Sequence, residues 1–515
     1  MRIQIRFFQT LMIGFLCVAL ISASGCDNKT KQVDNDEPET EQFAPEPLTV
    51  LFVGTADPTK DAMPAKEADE SDESDESEEP NELAETLGQR AARQWSARRD
   101  GTITVVEKSV EELVAADFQI DKAIDVVVFS PLLMGEWMSR DMLRPVPDDT
   151  WKSEELTNKT ILRFSRTKYI TYDSKNFAIP LGSPHMVMMY RKDILDALKV
   201  KPPTTWKAVR RLNEKLKAAD ESVFSEIENP SKRILFPLAE GVADTTLLSV
   251  ATPMARNRGT LSMVFETDKM EPLIGAPPFV EALKIIRELT TTDEPSKSMG
   301  AAEVYRAMLD GKAAIAFGWP ATGFDLENSD AESIETVRIA PVPGSLRYYD
   351  RNDQKWRDFG KEQDHQFDYI GFDGLVAGVT ENSKNAKTAF QFSAWLSSTT
   401  ISSIVLSSNP QVGPFRDNHL GDLRTWVGSR LSPDANDDLA EILDQSNTSS
   451  RATKMPPIPR ISEYRAALDQ AVRSAVDGES EPAAALKKAA DKWSEISNSA
   501  GVDAQRGYLR RSEGF

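Results

Sequence analysis

Apolar residues alternate between short runs and helical stripes in the first third of the chain. The runs have the length and the Val and Ile content of buried strands. The stripes repeat every three or four residues, which is the spacing of an amphipathic helix. The order strand, helix, strand, helix, strand predicts a mostly parallel sheet with helices on both faces. The predicted strands are residues 48–54, 102–106 and 123–130, and the predicted helices are 81–99, 110–118 and 132–142.

A strand, a sharp bend and a second strand are predicted next. Gly182 and Pro184 separate the apolar runs 177–181 and 186–190. Gly and Pro interrupt helices and redirect the chain, so the runs are interpreted as two strands and not as one helix. After a proline pair, Thr205 has the residue type of an N-cap, which predicts that a helix begins directly after it.

The same patterns predict a second α/β unit over residues 186–343, followed by further elements. The predicted strands are 311–319, 338–344 and 369–380, and the predicted helices are 191–198, 206–219, 278–290, 301–309, 385–397, 464–476 and 482–497. The last segment, 498–515, is predicted to be a frayed tail.

The start of the chain has the features of a lipoprotein signal peptide, predicted as residues 1–25. Arg2 and Arg6 precede an apolar core that is too short to span a membrane comfortably. Small residues then precede Cys26, which resembles a lipobox; the alternative is an ordinary cleavage site with an incidental cysteine. The only other cysteine, Cys17, lies in the leader, so no intrachain disulfide is expected. Acylated Cys26 would hold the protein at the periplasmic or cell-surface side of the membrane without spanning it.

The chain is acidic, with a formal net charge of −20. Loss of Arg2 and Arg6 with the leader would lower the net charge by two, to −22. This charge argues against nucleic acid and anionic lipid surfaces as partners. Residues 26–47 are polar, acidic and proline-bearing, which predicts a flexible tether. An almost purely acidic run at 67–79 predicts a disordered insertion, 63–82.

Several blocks of sequence resemble bacterial extracellular solute-binding proteins of family 1, the sugar-binding subunits of ABC importers. The first block, Pro-Leu-Gly, Met-Met-Tyr-Arg-Lys-Asp and Lys-Pro-Pro-Thr-Thr-Trp within 180–206, resembles the first crossover between the lobes of that family. The second block, 311–319, resembles the family element Gly-x-Ala-Ala-Met followed by Gly-x-Trp. Here Ile315 replaces the Met, and Trp319 follows Gly318 directly.

The resemblance implies an α/β fold with two lobes, the type 2 periplasmic-binding-protein fold, with hinge crossovers and a ligand cleft between the lobes. It implies a monomeric binding protein, not an enzyme, which captures a small solute, such as a carbohydrate, and delivers it to ABC permease subunits. No cofactor or metal is predicted. The expected lobe 1 is 48–182 plus 344–405, the expected lobe 2 is 183–343 plus 406–497, and 498–515 is the tail.

Candidate ligand contacts follow from the chemistry of sugars, whose apolar faces stack on aromatic rings and whose hydroxyls need polar partners. Trp319 is the first candidate and Tyr464 the second, although each also suits a core position. The other candidates lie at predicted strand ends or bends: Thr55, Asp57, Ser130, Ser183, His185, Phe372 and Asp373.

Other functions have weaker support in the sequence. No catalytic or phosphate-binding motif occurs among the three histidines and the rest of the chain. Ser183 and His185 lie two residues apart across a proline and have no visible third partner, so a secreted hydrolase is disfavoured. The adjacent Tyr348 and Tyr349 leave a ferric-iron binder of the same fold open, and a ligand-sensing lipoprotein also remains an alternative.

Overall fold

A computed structural model describes residues 45–55, 85–115, 119–256, 262–290, 294–321, 334–360, 367–370, 373–407, 409–449 and 452–514. The predicted leader, Cys26, most of the tether and the acidic insertion lie outside the described residues, as do Asp57 and Phe372.

Two larger sheets, each with its own covering helices, organise the described chain. The strands, numbered in chain order, are β1 Leu48–Val53, β2 Ile103–Lys108, β3 Val126–Phe129, β4 Thr171–Tyr172, β5 Lys175–Asn176, β6 Ile179–Gly182, β7 Val187–Arg191, β8 Ile234–Leu235, β9 Ile315–Gly318, β10 Val337–Ala340, β11 Arg347–Asp350, β12 Lys355–Asp358 and β13 Leu375–Val379. The five-stranded sheet has the order β2-β1-β3-β13-β6, and the four-stranded sheet has the order β10-β7-β9-β8. We call the part built on the first sheet lobe 1 and the part built on the second sheet lobe 2.

The sheet of lobe 1 confirms the predicted parallel arrangement of the first three strands. β1 pairs in parallel with both β2 and β3. The late strand β13 then pairs antiparallel with β3 and β6. Every residue of β3 is fully buried, as expected for a strand with helices on both faces.

The helices, also numbered in chain order, are α1 Leu87–Arg99, α2 Val110–Val114, α3 Met134–Ser139, α4 Asp148–Trp151, α5 Arg163–Thr167, α6 Lys192–Ala197, α7 Trp206–Ala218, α8 Ala243–Ala255, α9 Pro277–Leu289, α10 Glu294–Lys297, α11 Ala301–Leu309, α12 Ala386–Leu396, α13 Thr399–Val405, α14 Arg424–Val427, α15 Pro433–Thr448, α16 Ile461–Val476, α17 Pro482–Ala500 and α18 Val502–Ser512. The predicted cap is confirmed, since Thr205 Oγ1 accepts a hydrogen bond from Ala208 N at 3.3 Å. None of the helices in the described ranges is both long and apolar enough to cross a membrane.

Two segments differ from the expectations. The prediction of a frayed tail is wrong, because residues 502–512 form α18 and bury Leu509 completely. Its apolar positions are few, so the stripe was too weak to show in the sequence. The hairpin β11–β12 packs against α8 and α9 of lobe 2, although residues 344–405 were assigned to lobe 1. The structure therefore differs from the predicted assignment at this hairpin, and the other predicted lobe boundaries stay predictions.

Candidate functional site

Four of the predicted site residues meet at one edge of the lobe 1 sheet. Thr55 follows β1 and Ser130 follows β3, and these strands are parallel. Gly182, the last residue of β6, lies opposite Leu375, the first residue of β13. Ser183 and Asp373 therefore flank the same edge. The carboxyl ends of β1, β3 and β6 lie at this edge, and open α/β sheets bind ligands at the carboxyl ends of their strands.

The crossover from β6 to β7 connects this edge directly to the sheet of lobe 2. Val187 opens β7 and pairs with Gly318, the last residue of β9. Trp319 therefore follows β9 beside the crossover that contains Ser183 and His185. The two sheet edges meet here, and we call the set Thr55, Ser130, Ser183, His185, Trp319 and Asp373 the interlobe site.

Close backbone contacts fix the crossover. Gly182 has a φ of +111°, and a Cβ added there would lie 2.5 Å from Gly413 O. Gly374, with a φ of +114°, approaches Gly182 O so closely that a Cβ would clash with it. Only glycine adopts these conformations without strain, and only glycine lets the segments that contain Gly182, Gly374 and Gly413 approach one another so closely.

Two hydroxyl groups of the interlobe site are buried and incompletely hydrogen-bonded. Thr55 Oγ1 makes no hydrogen bond within the described residues, and Ser130 Oγ has only the Asp373 carboxylate as a neighbour, outside normal hydrogen-bond geometry. Such groups usually find a partner when buried, because an unmade hydrogen bond costs about 1–3 kcal/mol. A ligand that offers hydroxyl groups would satisfy both of them.

The Asp373 carboxyl supplies a strong acceptor beside Ser130. Burial raises the pKa of Asp373 from 3.8 to about 6, whereas Arg465, the Gly374 N–H and the Ser130 hydroxyl act against this rise. The group is therefore mostly ionised at neutral pH, with a charge that burial disfavours. Hydrogen bonds from a ligand would stabilise that charge.

Arg465 and Asp244 form a pair close to Asp373 that the sequence analysis did not identify. Arg465 donates to Asp244 from Nε at 2.7 Å and from Nη2 at 3.1 Å. The Asp244 side chain is 1% exposed and that of Arg465 is 25% exposed. Although burial acts in the opposite direction, Asp244, Tyr369 and Asp373 together raise the pKa of Arg465 above its ordinary value.

Two tyrosines complete the polar surroundings. Tyr169 and Tyr369 are each at most 5% exposed. Burial raises the pKa of Tyr169, and the Asp373 charge raises it further, whereas a hydrogen bond with Ser183 lowers it. Burial and then Asp244 raise the pKa of Tyr369, whereas Arg465 lowers it. Both phenols therefore stay neutral and can donate a hydrogen bond.

His185 lacks the environment of a general base. Burial lowers its pKa to about 4. The Ser183 hydroxyl donates to Pro184 O at 3.2 Å and makes no hydrogen bond to His185 in the described structure. The pair therefore lacks the hydrogen bond that joins a nucleophile to its base, and the imidazole is a weaker base than usual.

Tyr464 lies apart from the interlobe site, in the core between α16 and α17. It is fully buried, its hydroxyl bonds with Ser497 Oγ at 2.9 Å, and its ring packs at a steep angle against Phe265 and Trp493. Its position is that of a core side chain, so we leave it out of the proposed site.

The two tyrosines suggested for iron binding each pack against another aromatic ring. Tyr348 packs against Phe359, and Tyr349 packs against Trp356 on the β11–β12 hairpin. Across the described ranges, no group of three or more His, Cys, Asp and Glu side chains is arranged to hold a metal ion.

A cavity of about 650 Å³ lies at the opposite end of the lobe 1 sheet. Arg144, Lys387, Phe390 and Gln391 contribute to its lining. Arg144 N bonds to Val379 O, at the carboxyl end of β13, whereas Asp373 precedes the start of that strand. The cavity is therefore separate from the interlobe site.

Comparison with known proteins gives one family and a set of similar folds. Residues 102–401 match the family described as bacterial extracellular solute-binding protein. An ABC transporter solute-binding protein from Agrobacterium radiobacter K84, in complex with ribitol, is 18% identical. The match covers 87% of this chain and 98% of that chain, with a TM-score of 0.60.

Two further solved structures have the same architecture. Maltose-bound MalE3 of T. maritima is 16% identical, with 88% of this chain and 100% of that chain covered and a TM-score of 0.59. A solute-binding protein from Agrobacterium vitis S4 with bound D-mannitol is 16% identical, with 88% and 99% covered and a TM-score of 0.58. At such identities the likeness shows the fold alone, and it confirms the predicted two-lobed α/β fold.

Proposed function

The chain belongs to the bacterial extracellular solute-binding proteins, and we propose that it captures a small sugar or polyol between its lobes and delivers it to an ABC permease. Similar folds support the choice of ligand, because their names include ribitol, maltose and D-mannitol as bound molecules.

The observation that carries this proposal is that polar groups from one sheet converge with an aromatic ring from the other. The Thr55 hydroxyl is buried without a hydrogen bond among the described residues, and the Ser130 hydroxyl lies beside the Asp373 carboxylate. Trp319, from the other sheet, offers an aromatic ring at the same crossover. A polyhydroxylated ligand uses both features, since its hydroxyls pair with polar groups and its carbon face packs on a ring.

Binding must include a movement of the lobes. Thr55, Ser183, His185 and Trp319 are each at most 9% exposed in this arrangement. A solute can reach them only when the lobes separate. A ligand that contacts both lobes then favours the closed arrangement, by no more than its difference in affinity for the two states.

A thermal-shift screen of sugars, polyols, peptides and metal ions on the purified protein tests the proposal. A sugar or polyol should raise the melting temperature and reduce the radius of gyration in solution scattering. Trp319→Ala should abolish that shift, whereas Trp151→Ala, in α4 of lobe 1, should retain it. A screen in which only a peptide or a metal ion gives a shift would contradict the assignment.

The proposal includes a lipid anchor at Cys26 and a location on the periplasmic or cell-surface side of the membrane. The leader and the small residues before Cys26 support it. Cys26→Ser should move the protein from the membrane fraction to the soluble fraction. Unchanged fractionation would remove the anchor from the proposal without affecting solute capture.

A further inference from the structure

The helix α18 is attached to lobe 1 at the β4–β5 hairpin. Asp173 N donates to Arg511 O at 2.9 Å, and the Tyr172 hydroxyl donates to Tyr508 O at 3.4 Å. The hairpin belongs to lobe 1. Val146 N donates to Asn176 O of β5, and Arg144 N, two residues earlier, donates to Val379 O of β13. This end of α18 therefore follows the movements of lobe 1.

The same helix is also attached to lobe 2, at the turn between α8 and α9. Arg510 Nη2 donates to Asp268 Oδ1 at 2.7 Å, and Arg506 Nη1 donates to Asp268 O at 3.1 Å. The neighbouring Phe265 packs against Trp493 of α17, with ring centres 4.9 Å apart. Asp268 therefore belongs to the helical layer of lobe 2.

Buried contacts hold the middle of α18 against the segment that leads into α16. Gln505 is 1% exposed and donates from Nε2 to Pro459 O at 3.1 Å. Leu509 is fully buried one turn later. Pro459 lies two residues before the start of α16, the helix that carries Arg465. The helix thus touches both lobes and the element that positions the Arg465–Asp244 pair.

We propose that α18 is an intramolecular strap that fastens lobe 1 to lobe 2 and favours the arrangement in which the interlobe site is assembled. A connection made in only one arrangement of the lobes shifts the population toward it. A ligand that binds this arrangement then gains apparent affinity, because less binding free energy is used to close the lobes. The effect on affinity rests on the function proposed above, whereas the effect on lobe separation does not.

The double variant Tyr172→Phe/Arg511→Gln tests the strap, because it removes the side-chain contacts of α18 with lobe 1 and leaves the helix joined to α17, with the buried Gln505 and Leu509 in place. The matched control is Lys487→Gln/Lys492→Gln on α17, which removes two charges from exposed side chains outside the strap. Both proteins should melt close to the parent protein, since Tyr172→Phe keeps the buried ring and loses one long hydrogen bond, and exposed ion pairs contribute little to stability.

The first measurement is solution scattering of the full chain without ligand. The strap variant should have a larger radius of gyration than the parent protein, and the control should match the parent. An unchanged radius in the strap variant would overturn the proposal.

The second measurement is titration with ribitol, maltose and D-mannitol. Any of these that binds the parent should bind the strap variant roughly threefold to tenfold more weakly, with the control within about twofold. Equal affinities would overturn the link between strap and site. A larger radius with no binding of any solute to the parent would support the strap and contradict the proposed function.

Discussion

Replacing Arg465 by Met tests the buried pair that borders the interlobe site. The change removes both hydrogen bonds that the Asp244 carboxylate accepts within the described residues. Asp244 would remain in place with 1% of its side chain exposed and no positive partner. Met fills a similar volume, so the loss of charge and hydrogen bonding dominates the effect.

The expected cost follows from the burial of this carboxylate. Removal of one partner of a buried ion pair destabilises a protein by about 3–5 kcal/mol, since the remaining charge is uncompensated. The unit formed by residues 44–515 is large, and its unfolding entropy is about 1 kcal/mol per kelvin from the usual value per residue. The melting temperature should therefore fall by roughly 3–5 °C.

Arg473→Met, on the same helix, is the matched control. Arg473 pairs with Asp469 at 2.8 Å, but Asp469 also accepts from Gly241 N and Ala243 N. These two bonds remain in the variant, so its melting temperature should fall less. Adding Asp244→Asn to Arg465→Met should restore part of the loss. Equal effects of the two arginine changes, in differential scanning fluorimetry, would refute this reasoning.

Three further predictions concern pH and the crossover. Burial raises the pKa of Asp373 to about 6, so the folded state holds this proton more tightly than the unfolded state, and stability falls as pH rises through about 4 to 6. Asp373→Asn should therefore raise the melting temperature more at pH 7.5 than at pH 4.5, and equal changes would contradict this. Burial and then the Arg416 charge lower the pKa of His419 to about 3, so stability falls as pH drops below about 6.5. His419→Gln should reduce the decrease in melting temperature between neutral and acidic pH, and an unchanged decrease would count against this prediction. Gly374→Ala should destabilise the protein by more than about 1 kcal/mol because of its positive φ and its closeness to Gly182, whereas Gly360→Ala, in open space, should leave denaturant unfolding unchanged.

Local signals were sufficient for most of the elements. Thr205 caps α7 because the capping bond joins residues three apart. The predicted helix 301–309 has the bounds of α11, since its apolar stripe is visible within nine residues. The short apolar runs around Gly182 predicted β6 and β7 for the same reason. Each of these features depends on neighbours along the chain.

The candidate site was predicted only in part. Thr55, Ser130 and Ser183 follow strands, and the rule that ligands bind at carboxyl ends of strands identified them. Arg465 and Asp244 gave no such signal, because they are 221 residues apart and pair only through the packing of α16 on α8. Tyr464 had the same residue type as a sugar contact, yet the packing of α16 and α17 buries it in the core.

The sequence by itself determined which segments form strands and helices, since periodicity, capping residues and glycines act over a few residues. Only the tertiary structure decided which of these segments meet. It brought β13 between β3 and β6, placed Trp319 beside the Gly182 crossover, and set α18 against both lobes. These contacts join distant parts of the chain, so their energy depends on the complementarity of whole surfaces and not on any local pattern.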